Sequence, residues 1–212
     1  MDKAQCPACA RLQEPRLICS FCGAPLAAEL DCFAALGLPQ RLTLDPAQLE
    51  HLYHDLGRRL HPDRFANQPA AVQAASLKST ALLTRAFRTL REPVSRGLYW
   101  LELRGEKLSA DNKQVPPTLV ELIFELQEAL AELRTAAPAE RDGLVAAMRQ
   151  RRQELTEALA GALRELTANF ARWDEGGDPV HLTRELKEIL SHIAYLRSVL
   201  RDVDRELGDG TI

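Results

Sequence analysis

Apolar side chains recur along most of the chain at intervals of three and four residues. This interval places them on one face of an α-helix and leaves polar side chains on the opposite face. Proline and short polar residues stand where such helices begin, as in Asp45-Pro46, which predicts an N-cap followed by the first helical residue. The predicted helices cover residues 31–39, 46–60, 70–91, 94–103, 118–135, 139–172 and 178–207. The pattern therefore predicts an all-α protein.

The amino-acid composition agrees with this fold class. The 212 residues include 36 leucines and 30 alanines but only 8 valines and 5 isoleucines. Because β-branched residues lose rotamer freedom in helices and pack better in sheets, this ratio disfavours a doubly wound nucleotide-binding enzyme or a β-sandwich. No apolar run approaches the roughly 20 residues of a membrane span, and no signal- or transit-peptide pattern is present. We expect a protein of the bacterial cytoplasm with no membrane partner.

The sign of the charge changes along the chain. Residues 1–104 hold 13 Lys and Arg against 10 Asp and Glu, whereas residues 105–212 hold 14 against 20. Neither part has the basic excess of a protein that contacts many phosphates, so we expect no nucleic-acid partner. The difference in sign indicates two modules that face different partners.

Four cysteines near the N-terminus form two C-x-x-C pairs, Cys6 with Cys9 and Cys19 with Cys22. In a cytosolic protein such thiols bind metal more readily than they form disulfides. Two tight turns that each present two sulfurs complete a tetrahedral site, and zinc is preferred because iron–sulfur proteins usually space their cysteines differently. Gly23 supplies the positive φ that the second turn needs. We predict one structural zinc ion per chain.

Other interpretations of the cysteine segment stay open. The pairs are also compatible with redox or incidental cysteines, and small zinc knuckles often bind nucleic acid. Lys3, Arg11 and Arg16 are nevertheless few basic residues for a DNA-binding surface. Cys32 lies in an apolar stretch and is predicted to be a small buried hydrophobic residue rather than a ligand.

A His-Pro-Asp tripeptide, residues 61–63, lies between the second and third predicted helices. Pro62 fixes the shape of this loop, so the side chains of His61 and Asp63 are displayed at low entropic cost. The Asp63 carboxylate can accept a bidentate hydrogen bond from an arginine of a partner protein. Because the sequence supplies no nucleophile, enclosed pocket or phosphate-binding loop beside this loop, we do not expect an enzyme.

The segment of residues 31–104 resembles a J-domain of the DnaJ type. The resemblance rests on the tripeptide, on L-G-L-P at residues 36–39 and on Y-H-D-L-G-R-R-L at residues 53–60. It implies that this surface docks on the ATPase domain of a DnaK/HscA-type chaperone and accelerates ATP hydrolysis there. The implied chaperone-binding residues are Arg58, Arg59, His61, Pro62, Asp63 and Arg64.

The last three predicted helices have short connections and predict an antiparallel three-helix bundle. The apolar stripe of the first of them consists of Leu119, Leu122, Ile123, Leu126, Leu130 and Leu133. Val120 and Phe124 fall outside this stripe, beside a row of glutamates, and Tyr195 points away from the stripe of the last helix. An exposed phenylalanine beside acidic residues indicates a docking patch, although packing of both aromatics elsewhere on the chain is an equal alternative.

A J-domain followed by a short helix and this bundle resembles the HscB family of iron–sulfur cluster co-chaperones, some of which carry a tetracysteine segment. In that family the bundle binds an IscU-type cluster scaffold. The implied scaffold-binding residues are Val120, Phe124, Glu125, Glu128 and Tyr195. Two positions depart from the family pattern, since Cys32 stands where tyrosine is usual and Glu121 where an apolar residue is expected.

The sequence thus predicts four parts: a zinc knuckle at residues 1–30, a J-domain at 31–104, a linker at 105–117 and a scaffold-binding bundle at 118–212. The expected function is that of a co-chaperone that brings an IscU-type scaffold to a DnaK/HscA-type ATPase and activates it. Two alternatives are a general J-domain co-chaperone with another client and a zinc-knuckle nucleic-acid-binding protein.

Overall fold

The computed structural model describes residues 3–108 and 117–208, with the side chains of residues 117–119, 121–123, 130 and 138–139 left undescribed. Its elements are β1 (Ala4–Gln5), β2 (Leu12–Gln13), α1 (Cys32–Ala35), α2 (Pro46–Leu60), a 3₁₀ turn (Pro62–Phe65), α3 (Ala70–Arg91), α4 (Pro93–Leu103), α5 (Pro117–Thr135), α6 (Pro138–Asp174) and α7 (Pro179–Leu207). The predicted all-α class is confirmed. The described helices include none that is both long enough and apolar enough to cross a membrane.

The chain divides into two compact units, residues 1–100 and 101–212. The first unit holds the cysteine segment and the helical hairpin, and the second holds the three long helices. Most of the predicted linker, residues 109–116, lies outside the described residues. The four predicted domain ranges stay predictions.

In the first unit, α2 and α3 form the hairpin on either side of the His-Pro-Asp loop. The rings of Tyr53 and Phe87 stack between these two helices with their centroids 4.2 Å apart. At the end of α2, the backbone carbonyl of Leu60 accepts hydrogen bonds from the hydroxyls of Ser76 (2.6 Å) and Thr80 (3.2 Å) of α3. These two bonds satisfy a carbonyl that has no partner within its own helix and fix the residue from which the loop departs.

The short α1 begins at Asp31, whose carboxylate accepts a hydrogen bond from the Ala34 amide at 2.8 Å. Cys32 is fully buried, as predicted, and its amide donates to the hydroxyl oxygen of Tyr99 at 2.9 Å. Between α3 and α4, the buried guanidinium of Arg96 donates to the carbonyls of Leu90 (2.8 Å) and Leu42 (2.6 Å). The charged group is therefore compensated by one main-chain acceptor at the end of α3 and one in the segment before α2.

In the second unit, α7 packs along α6, and α5 packs on α6. Leu126 and Leu133 of α5 are buried, as the apolar stripe predicts. The other members of that stripe, Leu119, Leu122, Ile123 and Leu130, have side chains outside the described residues. Arg134 of α5 pairs with Glu206 of α7, which places the ends of these two helices together. The described parts of the three helices agree with the predicted bundle.

Candidate metal centre and exposed loop

The two C-x-x-C segments adopt the same backbone turn. The amide of Ala10 donates to the carbonyl of Cys6 at 2.9 Å, and the amide of Gly23 donates to the carbonyl of Cys19 at 3.0 Å. The residue that follows each pair has a positive φ, 58° at Ala10 and 75° at Gly23. Sequence reasoning found Gly23 but missed Ala10, because alanine at a left-handed position carries no compositional signal.

Each turn also directs a backbone amide at a sulfur. Ala8 N–H points to Cys6 Sγ at 3.4 Å, and Phe21 N–H points to Cys19 Sγ at the same distance. Such N–H groups stabilise negative charge on sulfur, because a thiolate is the better hydrogen-bond acceptor. Each turn is therefore prepared to hold thiolates.

The turns bring all four sulfur atoms together. The Sγ atoms of Cys6 and Cys22 are 3.5 Å apart, those of Cys9 and Cys19 are 3.8 Å apart, and all four lie within 4.8 Å of one another. A tetrahedral ion with metal–sulfur bonds of about 2.3 Å requires sulfur–sulfur separations of about 3.8 Å. The four predicted cysteines thus form a cluster with the dimensions of a metal site, whereas the fifth, Cys32, lies in the helical core.

Two thiols of this cluster, those of Cys19 and Cys22, have pKa values shifted from that of free cysteine. Burial raises the pKa of Cys19, but hydrogen bonds from the backbone of Cys22 and Phe21 lower it to about 6. At Cys22 a backbone hydrogen bond from Ala24 lowers the pKa, whereas burial and the three neighbouring sulfurs raise it to about 12. Four thiolates at these distances repel one another, so a cation is needed to keep all four ionised.

The cysteine segment is also joined to the helical hairpin. Ala24 and Leu26 are buried against Cys6 and Cys19 and form a small apolar cluster with them. The hydroxyl of Ser79, on α3, donates to the carbonyl of Leu26 at 2.7 Å. The cysteine cluster is therefore connected to the helix that follows the His-Pro-Asp loop.

The loop itself displays its acidic side chain to solvent. The Asp63 side chain is 90% exposed, and that of His61 is 58% exposed. The Asp63 amide donates to His61 Nδ1 at 3.3 Å, and the Arg64 amide donates to the His61 carbonyl at 3.0 Å. Together with Pro62 these bonds fix the backbone. The Asp63 carboxylate lies 3.5 Å from His61 Nδ1 but stays exposed to solvent, so a partner can reach it.

Basic side chains flank the loop on α2. The guanidinium groups of Arg58 and Arg59 lie 3.6 and 3.5 Å from the carboxylate of Asp55, on the same face of the helix. All three side chains are well exposed, so these pairs contribute little and break readily when another acidic group approaches. Arg64 is exposed next to Asp63. The structure therefore groups the six residues predicted for chaperone binding at one end of the hairpin.

Four residues of the predicted docking patch lie on α5, and three of them are exposed. Phe124 is 64% exposed and Val120 is 39% exposed, so neither packs into the bundle core. Glu128 is exposed, and Glu125 pairs with Arg151 of α6 at 2.5 Å. The side chain of Glu121 lies outside the described residues.

The remaining predicted member of that patch, Tyr195, lies on α7. It is half-buried, and this burial raises its pKa. Within the described part of the chain, no hydrogen bond or ring contact joins Tyr195 to α5. The docking alternative for Phe124 is thus favoured by its exposure, whereas the environment of Tyr195 is equally compatible with packing.

A helical hairpin with an exposed His-Pro-Asp loop, followed by a helical bundle, is the fold of a J-domain co-chaperone. No family model matches the sequence. The fold is similar to the crystal structure of the human co-chaperone protein HscB, with a TM-score of 0.61 and 26% identity over 95% of this chain and 97% of the human chain. It is also similar to the chaperone HscB from Vibrio cholerae, with a TM-score of 0.59 and 24% identity over 83% of this chain and 96% of that one.

These similarities cover both units of the chain. The protein has the HscB co-chaperone fold with a tetracysteine cluster at its N-terminal end. The similarity supports a co-chaperone role, as expected from the sequence.

Proposed function

We propose that the protein binds an IscU-type iron–sulfur scaffold and stimulates ATP hydrolysis by a DnaK/HscA-type chaperone. The observation that carries this proposal is the exposure of the Asp63 carboxylate on a loop whose backbone is fixed by its own hydrogen bonds. A preorganised acidic group loses little entropy when an arginine of the partner binds it. The expected bacterial, cytoplasmic location stays a prediction.

The chaperone-binding surface consists of the loop and its basic flank. Asp63 accepts a hydrogen bond from the ATPase domain, while Arg58, Arg59 and Arg64 attract an acidic area around it. Surface charges of this kind mainly raise the association rate, whereas the buried contact of Asp63 determines specificity. His61 and Pro62 position Asp63, and neither reacts chemically. ATP is hydrolysed by the partner.

The scaffold-binding surface lies on α5. Phe124 and Val120 supply the apolar contact, and Glu125 and Glu128 supply the charge that selects a basic client surface. One chain that holds both partners raises their effective concentration with respect to each other. Delivery of the scaffold is thereby linked to nucleotide hydrolysis.

The ion in the cysteine cluster is proposed to be zinc, one per chain, bound by Cys6, Cys9, Cys19 and Cys22. Sulfur fills all four positions of a tetrahedron, so the ion supplies a structural cross-link and no open position for catalysis. About 25 residues with few apolar side chains need such a cross-link to fold.

The direct test is the rate of ATP hydrolysis by a purified DnaK/HscA-type chaperone with increasing amounts of this protein. Asp63→Asn keeps the size of the side chain and removes its charge, and is expected to abolish the stimulation. Because the side chain is 90% exposed, the far-ultraviolet circular dichroism and the melting temperature should not change. Glu50→Gln is the matched control, because it removes an exposed negative charge from α2. This variant should stimulate ATP hydrolysis as the unaltered protein does. Full stimulation by Asp63→Asn would refute the proposed function.

A further inference from the structure

The two cysteine turns and the His-Pro-Asp region enclose a groove of about 410 Å³. One wall belongs to the cysteine segment and the other to the end of α2, the 3₁₀ turn and the start of α3. The lining residues used below are Ala8, Ala24, Arg59, Arg64, Phe65, Gln68 and Val72. The groove lies wholly within the first unit of the chain.

Two guanidinium groups give this groove its charge. Among the described residues, Arg59 has one acidic partner, the exposed carboxylate of Asp55 at 3.5 Å. Arg64 has no acidic partner among the residues that the structure describes. Both are therefore available to a carboxylate that enters the groove, and pairing inside a partly enclosed space is screened less than pairing on an open surface.

The floor of the groove is apolar. Phe65 is half-buried and Val72 is buried, and Ala24 of the cysteine segment lies beside them. An occupant that combines an acidic side chain with an apolar neighbour would satisfy both the arginines and this floor. Arg64 directly follows Asp63 in the chain, so the groove continues the surface that carries the acidic loop.

We propose that the two cysteine turns form the outer wall of the chaperone-docking surface, and that the groove receives an acidic segment of the ATPase partner. This inference rests on the proposed function, since it assigns the groove to the protein that engages Asp63. It gives the metal centre a binding role in addition to its structural one, because the ion holds the wall in place. The ion itself contacts no partner.

The test places charge on the cysteine wall at Ala8, whose exposed side chain lines the groove. Ala8→Glu should raise the concentration needed for half-maximal ATPase stimulation about threefold or more by repelling the acidic segment, and Ala8→Lys should lower it. Leu12→Glu and Leu12→Lys add the same charges to an exposed site on β2 outside the groove and are the controls. The maximal stimulation should be similar in all four variants.

The groove proposal would be overturned if each Ala8 variant had the same half-maximal concentration as the Leu12 variant of the same charge, while Asp63→Asn still abolished stimulation. Retained stimulation in Asp63→Asn would overturn the groove and the proposed function together. Metal content is measured for each variant. If an Ala8 variant loses the metal, Gln68→Glu and Gln68→Lys, on the opposite wall, replace the pair, and the same comparison with Leu12 decides.

Discussion

The hydroxyl of Ser79 in α3 lies 2.7 Å from the carbonyl oxygen of Leu26, and both residues are almost completely buried. The amide of Leu26 is bonded to the carbonyl of Leu17, so the main chain is paired on both sides of this residue. The bond from Ser79 is a direct polar connection between the cysteine segment and the helical hairpin.

Ser79→Ala should lower the free energy of unfolding of the first unit by about 1–2 kcal/mol, because it leaves a buried carbonyl without a donor. Denaturant unfolding followed by circular dichroism measures the change. Lys78→Ala, at the exposed neighbouring position of the same helix, is the control and should have little effect. Equal stabilities of the two variants would show that the bond does not contribute.

The positive-φ residues of the two cysteine turns, Ala10 and Gly23, can each be replaced by the residue type found in the other turn. Gly23→Ala should destabilise the metal-bound segment by about 1 kcal/mol through conformational strain alone, because an added Cβ would meet no atom within 4 Å. Ala10→Gly should leave stability unchanged or raise it by less than about 1 kcal/mol, since relief of strain is offset by the freedom of glycine in the unfolded chain.

Chelator competition, read as the midpoint of metal release, measures both variants. Gly23→Ala should release its metal at a lower chelator concentration than the unaltered protein, and Ala10→Gly should not. Earlier release from Ala10→Gly would contradict the equivalence of the two turns.

Metal analysis of the purified protein should give about one zinc per chain and no visible absorbance. A Cys19→Ser/Cys22→Ser double variant removes two of the four ligands, so its zinc content should fall close to zero. Cys32→Ala is the control, because Cys32 is buried apart from the cluster, and should retain its zinc. Iron with visible absorbance would show that the metal assignment is wrong.

Alanine substitutions of Phe124 and Phe170 are expected to distinguish an effect on scaffold binding from an effect on the stability of the second unit. Phe124→Ala should abolish binding of an IscU-type scaffold, measured by calorimetry, and change the free energy of unfolding by less than about 0.5 kcal/mol because the ring is exposed. Phe170→Ala removes a ring buried in α6 and should cost about 3–5 kcal/mol. Absence of scaffold binding by the intact protein would favour a co-chaperone with another client.

The helices were predictable because their signals are local. The predicted and observed bounds of α2 and α3 coincide. Asp45-Pro46 marks the start of α2 and His61-Pro62 its end, and Glu92-Pro93 marks the end of α3. The C-x-x-C spacing likewise predicted the four-sulfur cluster, because each turn holds its own two ligands. The exposure of Asp63 followed from its place in a short proline-containing loop.

Features that depend on distant neighbours were not predictable. The β1–β2 pair of two-residue strands is too short for a periodic pattern to show. The groove forms because Ala8 and Arg64, 56 positions apart in the sequence, line the same space, and no spacing rule contains that information. The left-handed Ala10 depends on the geometry of its turn rather than on its own residue type.

One stretch of α3, residues 76–80, holds two segments that are distant from each other in sequence. Ser76 and Thr80 hold the carbonyl before the acidic loop, and Ser79, between them, holds the cysteine segment. A one-residue insertion or deletion in α3 before this turn would rotate all three hydroxyls by about 100° relative to the start of the helix and release both attachments at once. The length of α3 on the N-terminal side of this turn is therefore constrained, and any lineage that lost the cysteine segment would be free to change Ser79 while Ser76 and Thr80 stayed fixed.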